Sequence, residues 1–83
     1  MKSTTQPHVV VAILNWNGRH HLESYLPSVA EYSRGHAEVV VIDNGSTDDS
    51  ISWLQASYPD VRIIQLEKNL GFAGGYNAGL VQV

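Results

Sequence analysis

Three short runs of apolar, mostly β-branched residues constrain this chain most strongly, because the spacing between them leaves room for one helix in each gap. The runs are Val9–Leu14, Glu38–Ile42 and Val61–Leu66. The first two are nearly continuous, which is typical of strands that are buried on both faces of a parallel sheet. Arg62 and Gln65 interrupt the third run, so we expect that strand to lie nearer an edge.

The two segments between the runs have the spacing of helices. Residues 19–34 place an apolar stripe along one side of a helix, and Pro27 is expected to kink that helix. In the second segment, Ser46 or Thr47 is expected to cap a helix that stops at Pro59. Each helix is therefore predicted to connect one strand to the next.

A third helix is predicted after the last strand, from the spacing of Phe72, Tyr76 and Leu80 in a glycine-rich stretch. Strands that are joined by helical crossovers lie parallel, and the crossovers are nearly always right-handed. The sequence therefore predicts an α/β fold, a three-layer Rossmann-like half-domain of order β-α-β-α-β-α around a parallel sheet. Residues 1–7 are predicted to be a flexible N-terminus, and residues 8–83 to form the domain.

Composition excludes several classes of partner. With 83 residues, of which 43% are hydrophobic and 16% charged, the chain is predicted to form one small soluble domain. Its net charge of −3 and its scattered basic residues argue against nucleic acid as a partner. The absence of cysteine excludes a disulfide framework, and no apolar run approaches the ~20 residues that span a bilayer. We expect a cytoplasmic location, and membrane association stays open for a longer parent protein.

Polar residues follow each predicted strand. Asn15 and Trp16 follow the first strand, Asp43 and Asn44 the second, and Asn69 the third. Open parallel sheets bind ligands outside the carboxyl ends of their strands, so we expect the three loops to form one site. A short carboxylate and an amide suit the imide of a pyrimidine base and the hydroxyls of a ribose.

Most of these residues also have a simpler structural explanation. Asp43 and Asn44 belong to the residue types that favour turns and helix caps, and Trp16 is also compatible with a core position at a strand end. Asn69 together with Gly71, Gly74 and Gly75 lets the backbone approach a ligand, and a helix N-terminus there would favour a phosphate. Close packing of a helix on the sheet needs small residues as well, so the sequence leaves these alternatives open.

Several catalytic motifs are absent from the sequence. There is no P-loop, no Gly-x-Gly-x-x-Gly after the first strand and no nucleophile elbow. His20 and His21 are adjacent on a predicted helix and point in different directions, so we do not expect them to bind a metal.

The three strand-end segments together resemble the N-terminal nucleotide-binding part of glycosyltransferase family 2, the inverting enzymes of the GT-A fold. The matching stretches are residues 10–18, 40–48 and 69–79, and the last is most similar to the rhamnosyltransferase-like branch. Asn44 stands where the family usually has a second Asp, a change that this branch tolerates. The chain is thus identified as the N-terminal part of a truncated GT-A domain.

The resemblance implies a nucleoside-diphosphate sugar donor, UDP- or dTDP-linked, and inverting transfer to an acceptor hydroxyl, as in cell-surface polysaccharide synthesis. It implies that residues 8–83 form the nucleotide-sugar-binding part. The residues that it matches to donor binding are Asn15, Trp16, Asp43, Asn44, Asn69, Gly71, Gly74 and Asn77.

The resemblance also implies parts that this sequence lacks. The family binds Mg²⁺ or Mn²⁺ through an Asp-x-Asp motif and uses a later carboxylate as general base, and no Asp-x-Asp occurs here. We therefore expect the metal, and an acceptor glycan or lipid-linked sugar, to be bound by a longer parent, and this piece alone to be inactive. A stand-alone, non-catalytic nucleotide-binding or regulatory module is the alternative. The apolar edge of the first strand further predicts self-association.

Overall fold

The computed structural model describes residues 9–35 and 37–82. The elements follow the predicted order, and they are β1 (Val10–Asn15), α1 (Arg19–Ser33), β2 (Glu38–Asn44), α2 (Ser50–Ser57), β3 (Arg62–Leu66) and α3 (Gly71–Val81). The prediction for residues 1–7 lies outside the described residues. The α/β class and the β-α-β-α-β-α order are confirmed.

The three strands form one parallel sheet in the order β1-β2-β3. The central strand is the most deeply buried, with Val40, Val41 and Ile42 fully enclosed. Residues of β1 are only half-buried up to its last position, because β1 lies at an edge of the described sheet. Burial on both faces is therefore confirmed for β2 and wrong for β1, and the edge position predicted for β3 is confirmed.

Helices α1 and α2 cover one face of the sheet. Leu22 and Leu26 of α1 and Leu54 of α2 are fully buried against Val41 of β2. Both helices lie on the same face because each connects neighbouring parallel strands by a crossover of the same hand. The helix that contains Pro27 runs as one element from Arg19 to Ser33.

Helix α3 covers the opposite face, which completes the three layers. Tyr76 packs against the buried cluster of Val40, Ile42 and Ile64. The small residues of α3 allow close contact: a Cβ on Gly79 would lie 2.5 Å from Cγ2 of Ile42. A Cβ on Gly75 would lie 2.7 Å from Nδ2 of Asn44, at the end of β2. Helix packing is therefore the explanation for these two glycines.

The predicted cap of α2 is wrong. The helix begins at Ser50, not directly after Ser46 or Thr47. An Oδ1 atom of Asp48 accepts hydrogen bonds from the backbone N–H (3.0 Å) and the hydroxyl of Ser50. Ser46 does not cap the helix because its hydroxyl is engaged by residues at the strand ends. None of the helices within residues 9–35 and 37–82 has the length and hydropathy that a membrane span requires.

Candidate functional site at the carboxyl ends of the strands

The strands end in register, which brings the three polar loops to one rim of the sheet. Asn15 is paired with Asp43, and Asp43 is paired with Gln65 on β3. Asn15, Asp43 and Asn44 belong to the strands themselves and are only 2–3% exposed. The prediction that all three strand-end loops meet at one rim of the sheet is confirmed.

Asp43 is the centre of a hydrogen-bond network between the first two loops. Its Oδ1 accepts bonds from Nδ2 of Asn15 (3.0 Å) and from the hydroxyl of Ser46 (2.6 Å), and its Oδ2 accepts the N–H of Ser46 (3.0 Å). The turn explanation for Asp43 therefore holds, because this carboxylate closes the turn that follows β2. These bonds use three of the roughly four acceptor positions of a carboxylate.

Asn44 joins the end of β2 to the third loop in the same way. Its Nδ2 donates to Oδ1 of Asn69 (3.1 Å) and to the carbonyl of Gly71 (3.0 Å). Its Oδ1 accepts the N–H of Leu70 (2.9 Å). A single buried side chain thus fixes the start of α3 to the end of β2.

Asn17 and Ser46 also connect the loops, and neither is among the site residues that were predicted from the sequence. Asn17 adopts a left-handed conformation with φ of 48°, which Asn tolerates better than most residues. Its Oδ1 accepts the N–H groups of Thr47 (2.7 Å) and Asp48 (3.1 Å), and its own N–H donates to the hydroxyl of Ser46 (2.8 Å). The Asn17-Gly18 pair is a turn signal that indicated this conformation in the sequence.

The charged groups at this rim stabilise the N-terminal end of α1. The N–H of Arg19 donates to Oδ2 of Asp48 (3.3 Å), and its guanidinium pairs with Asp49. Burial alone would raise the pKa of Asp48, but hydrogen bonds from the side chain and backbone of Ser50 and from Arg19 leave this pKa below its ordinary value. The carboxylate form of Asp48 therefore supports the folded loops.

The remaining predicted site residues lie on the surface of the rim or of α3. Trp16 is 55% exposed, which excludes the alternative of a core tryptophan. Gly71 begins α3 with φ of 77°, and Gly74 lies one turn further along the helix. Asn77 is exposed, and its side chain makes no hydrogen bond among the described residues. Asn69 is exposed as well, and its Oδ1 faces Asn44.

The described residues do not fit a metal site. Among residues 9–35 and 37–82, no group of three or more His, Asp or Glu side chains is close enough to hold a metal ion. A separate cavity of about 430 Å³ opens at the other end of the sheet. It is lined by residues such as Ser33, Glu38 and Tyr58, far from the strand ends where open parallel sheets bind ligands.

Comparison with known proteins agrees with the resemblance. The sequence matches the family described as Glycosyl transferase family 2 over residues 9–83. It is 35% identical over 74 residues to an uncharacterized glycosyltransferase of Nostoc sp., a match that covers 86% of this chain and 23% of that protein.

Two other relatives have similar coverage. The N-acetylglucosaminyl-diphospho-decaprenol L-rhamnosyltransferase of Mycobacterium tuberculosis is 33% identical over 63 residues, or 76% of this chain and 20% of that protein. An uncharacterized glycosyltransferase of Haemophilus influenzae is 32% identical over 77 residues, or 89% of this chain and 24% of that protein. The chain thus spans less than a quarter of the length of these relatives. By its sequence match and its parallel α/β fold, the chain belongs to glycosyl transferase family 2.

Proposed function

We propose that this chain is the donor-binding part of a glycosyltransferase and that the donor is a nucleoside-diphosphate sugar with a pyrimidine base, UDP- or dTDP-linked. The observation that carries the proposal is the joining of three strand-end loops by buried side chains. The bond between Asn15 and Asp43 (3.0 Å) joins the first two loops, and the bond between Asn44 and Asn69 (3.1 Å) adds the third. A rim held in this way is already ordered before a ligand arrives, which lowers the entropic cost of binding.

The chemistry of Asp43 favours a pyrimidine base. Internal bonds from Asn15 and Ser46 leave this carboxylate with roughly one free acceptor position. The imide N–H of uracil or thymine is a single donor of matching capacity. The exposed ring of Trp16 provides an adjacent apolar surface on which a base can stack.

The start of α3 supports a role in holding the diphosphate. This helix begins at Gly71, and the bonds from Asn44 fix its first residues at the rim. The N-terminus of a helix carries a partial positive charge that favours phosphate, and at this one the N–H of Gly71 itself is bonded to Oδ1 of Asn69 (2.7 Å). We assign Gly71, Gly74 and Asn77 to this part of the donor site.

The whole transfer reaction is proposed for a longer protein. We propose inverting transfer to the hydroxyl of a glycan or lipid-linked sugar, as in cell-surface polysaccharide synthesis. The similarity to the L-rhamnosyltransferase of Mycobacterium tuberculosis supports a rhamnosyl donor. A Mg²⁺ or Mn²⁺ ion would neutralise the leaving diphosphate in that protein. The residues described for this chain contribute binding and orientation of the nucleotide.

Calorimetric titration with four nucleoside diphosphates tests the proposal. We expect UDP and dTDP to bind about tenfold more tightly than ADP and GDP, because purines do not present the pyrimidine imide at the same position. Circular dichroism of the same samples checks that the protein is folded. Equal binding of all four nucleotides, or none at millimolar concentration by folded protein, would contradict the proposal.

A further inference from the structure

The hydroxyl of Ser46 lies between the first two loops and is bonded to both. It donates to Oδ1 of Asp43 (2.6 Å), and it accepts the N–H of Asn17 (2.8 Å) and Nδ2 of Asn15 (3.3 Å). A serine hydroxyl has one donor and two acceptor positions, so all three are occupied. Ser46 therefore has no hydroxyl position left for a ligand, and any effect of this hydroxyl on binding acts through the residues that it holds.

The bonds to Ser46 give the two carboxylate oxygens of Asp43 different surroundings. Oδ1 accepts from Nδ2 of Asn15 (3.0 Å) and from the hydroxyl of Ser46. Among the described residues, Oδ2 accepts one bond, from the backbone N–H of Ser46 (3.0 Å). Because each oxygen has roughly two acceptor positions, the position that remains belongs to Oδ2.

The turn that carries Ser46 is also held from the side of the third loop. Gly45 has φ of 77°, and a Cβ at this position would lie 2.6 Å from the carbonyl carbon of Lys68. The backbones of the second and third loops are thus in close contact, which restricts movement of Ser46 away from Asp43. The orientation of the Asp43 carboxylate is therefore fixed by the folded rim itself.

We propose that Ser46 is a positioning residue whose hydroxyl turns Asp43 so that a single acceptor, on Oδ2, faces the base, and that the site thereby selects uracil or thymine over cytosine. This role depends on the proposed function, because the base that Asp43 meets is that of the proposed donor. N3 of uracil or thymine carries a hydrogen that can donate to Oδ2, whereas N3 of cytosine is itself an acceptor. Asp43 is 2% exposed, so water cannot relieve the mismatch between two acceptors.

Calorimetric titration with UDP and CDP tests this selectivity, because the two nucleotides differ only at the edge of the base. We expect the unaltered chain to bind UDP about tenfold more tightly than CDP. Ser46→Ala should bind UDP about tenfold more weakly and CDP equally well, so that the preference disappears. Ser46→Thr keeps the hydroxyl and should retain the preference, which a merely structural role of the hydroxyl does not predict.

Ser50→Ala is the matched control. The hydroxyl of Ser50 is also buried, and it donates to Asp48 rather than to Asp43. Its removal should lower the unfolding free energy and leave the ratio of UDP to CDP affinity unchanged. Ser46→Cys is a second variant for the case that Ser46→Ala does not fold, because a thiol has a similar shape but donates weakly. It should lose the preference as well.

The outcomes separate this role of Ser46 from the proposed function. Equal binding of UDP and CDP by the unaltered chain overturns the selectivity but leaves binding of pyrimidine nucleotides intact. A preference that persists in folded Ser46→Ala or Ser46→Cys, or that Ser50→Ala loses equally, overturns the role of Ser46. If the folded chain binds no nucleotide, or binds ADP and GDP as tightly as UDP, the proposed function fails and the selectivity fails with it.

Discussion

Asp43 and Asn44 show how a residue can be buried and still shape a surface site. Both are 2% exposed, and their polar atoms are bonded to the loops on either side. Unsatisfied buried polar groups are costly, so these bonds hold the loops in one arrangement. We propose that the remaining acceptor position of Asp43 faces the base, and that exposed neighbours, of which Trp16 is the largest, provide the rest of the ligand-facing surface.

Asn44→Ala tests this role in the unfolding free energy. The substitution removes three bonds from a buried side chain to residues 69–71, including those to the N–H of Leu70 and the carbonyl of Gly71, so we expect a loss of about 2–3 kcal/mol in chemical denaturation. Asn77→Ala is the control, because Asn77 is exposed on α3 and should change stability by less than about 0.5 kcal/mol. Equal stabilities of the two variants would show that the third loop is not fixed by Asn44.

Trp16→Ala separates binding from stability. The ring is 55% exposed, and loss of base stacking should weaken UDP binding about tenfold while the unfolding free energy changes little. Tyr32→Ala removes an aromatic side chain that is 78% exposed near the other end of α1, roughly 20 Å along the helix from its start. This control should bind UDP normally. Equal affinity in the two variants would remove Trp16 from the site.

At the scale of elements, the contact of α3 with the sheet depends on Gly75 and Gly79, which have no side chain to separate the helix from the strands. Gly79→Ala would place a methyl group 2.5 Å from Ile42, and we expect a loss of about 1–3 kcal/mol in unfolding free energy. Gly74→Ala is the control, because its Cβ would meet only the side chain of Leu70 at 3.1 Å and alanine favours helices. A stable Gly79→Ala protein would mean that α3 packs less closely than described.

The loop between β2 and α2 makes stability depend on pH. The lowered pKa of Asp48 means that its carboxylate stabilises the fold above the ordinary Asp value of about 4, and that this contribution disappears as pH falls through the lower, folded pKa. We expect the unfolding free energy to decline below about pH 4, and Asp48→Asn to make that decline shallower. An unchanged pH profile in Asp48→Asn would contradict this role.

The elements could be predicted where a local pattern decides them, and less well where distant residues compete. Apolar runs and helical spacing gave the element order, and the shared strand ends gave the convergence of Asn15, Asp43 and Asn69. The cap of α2 could not be predicted in this way. Ser46 is suited to capping, but its hydroxyl bonds to Asn15, 31 residues away, which no local pattern indicates.

For the whole molecule, the three layers place the polar rim at the carboxyl ends of the described strands. The fold class and the rim followed from the sequence because strand order and crossover hand fix them. The apolar run of β1 predicted burial on both faces, and that prediction was wrong because β1 has only one neighbour in the described sheet.

The chain alone is expected to bind nucleotide without transferring sugar. We propose that the transfer itself belongs to a longer protein, because the chain spans less than a quarter of the length of the relatives that it matches. Incubation with UDP- and dTDP-sugars, with and without Mn²⁺, should therefore release no nucleoside diphosphate above a protein-free control. Release that depends on folded protein would show that the chain carries more of the catalytic apparatus than its rim.

A nuclear magnetic resonance titration with UDP shows at which residues the nucleotide binds. We expect saturable shifts of the Trp16 indole, the side-chain amides of Asn15 and Asn69 and the backbone amide of Gly71, with little change near Ser33 and Tyr58. Shifts confined to the cavity around Ser33 and Tyr58, or no shifts at millimolar UDP, would contradict the proposed donor site.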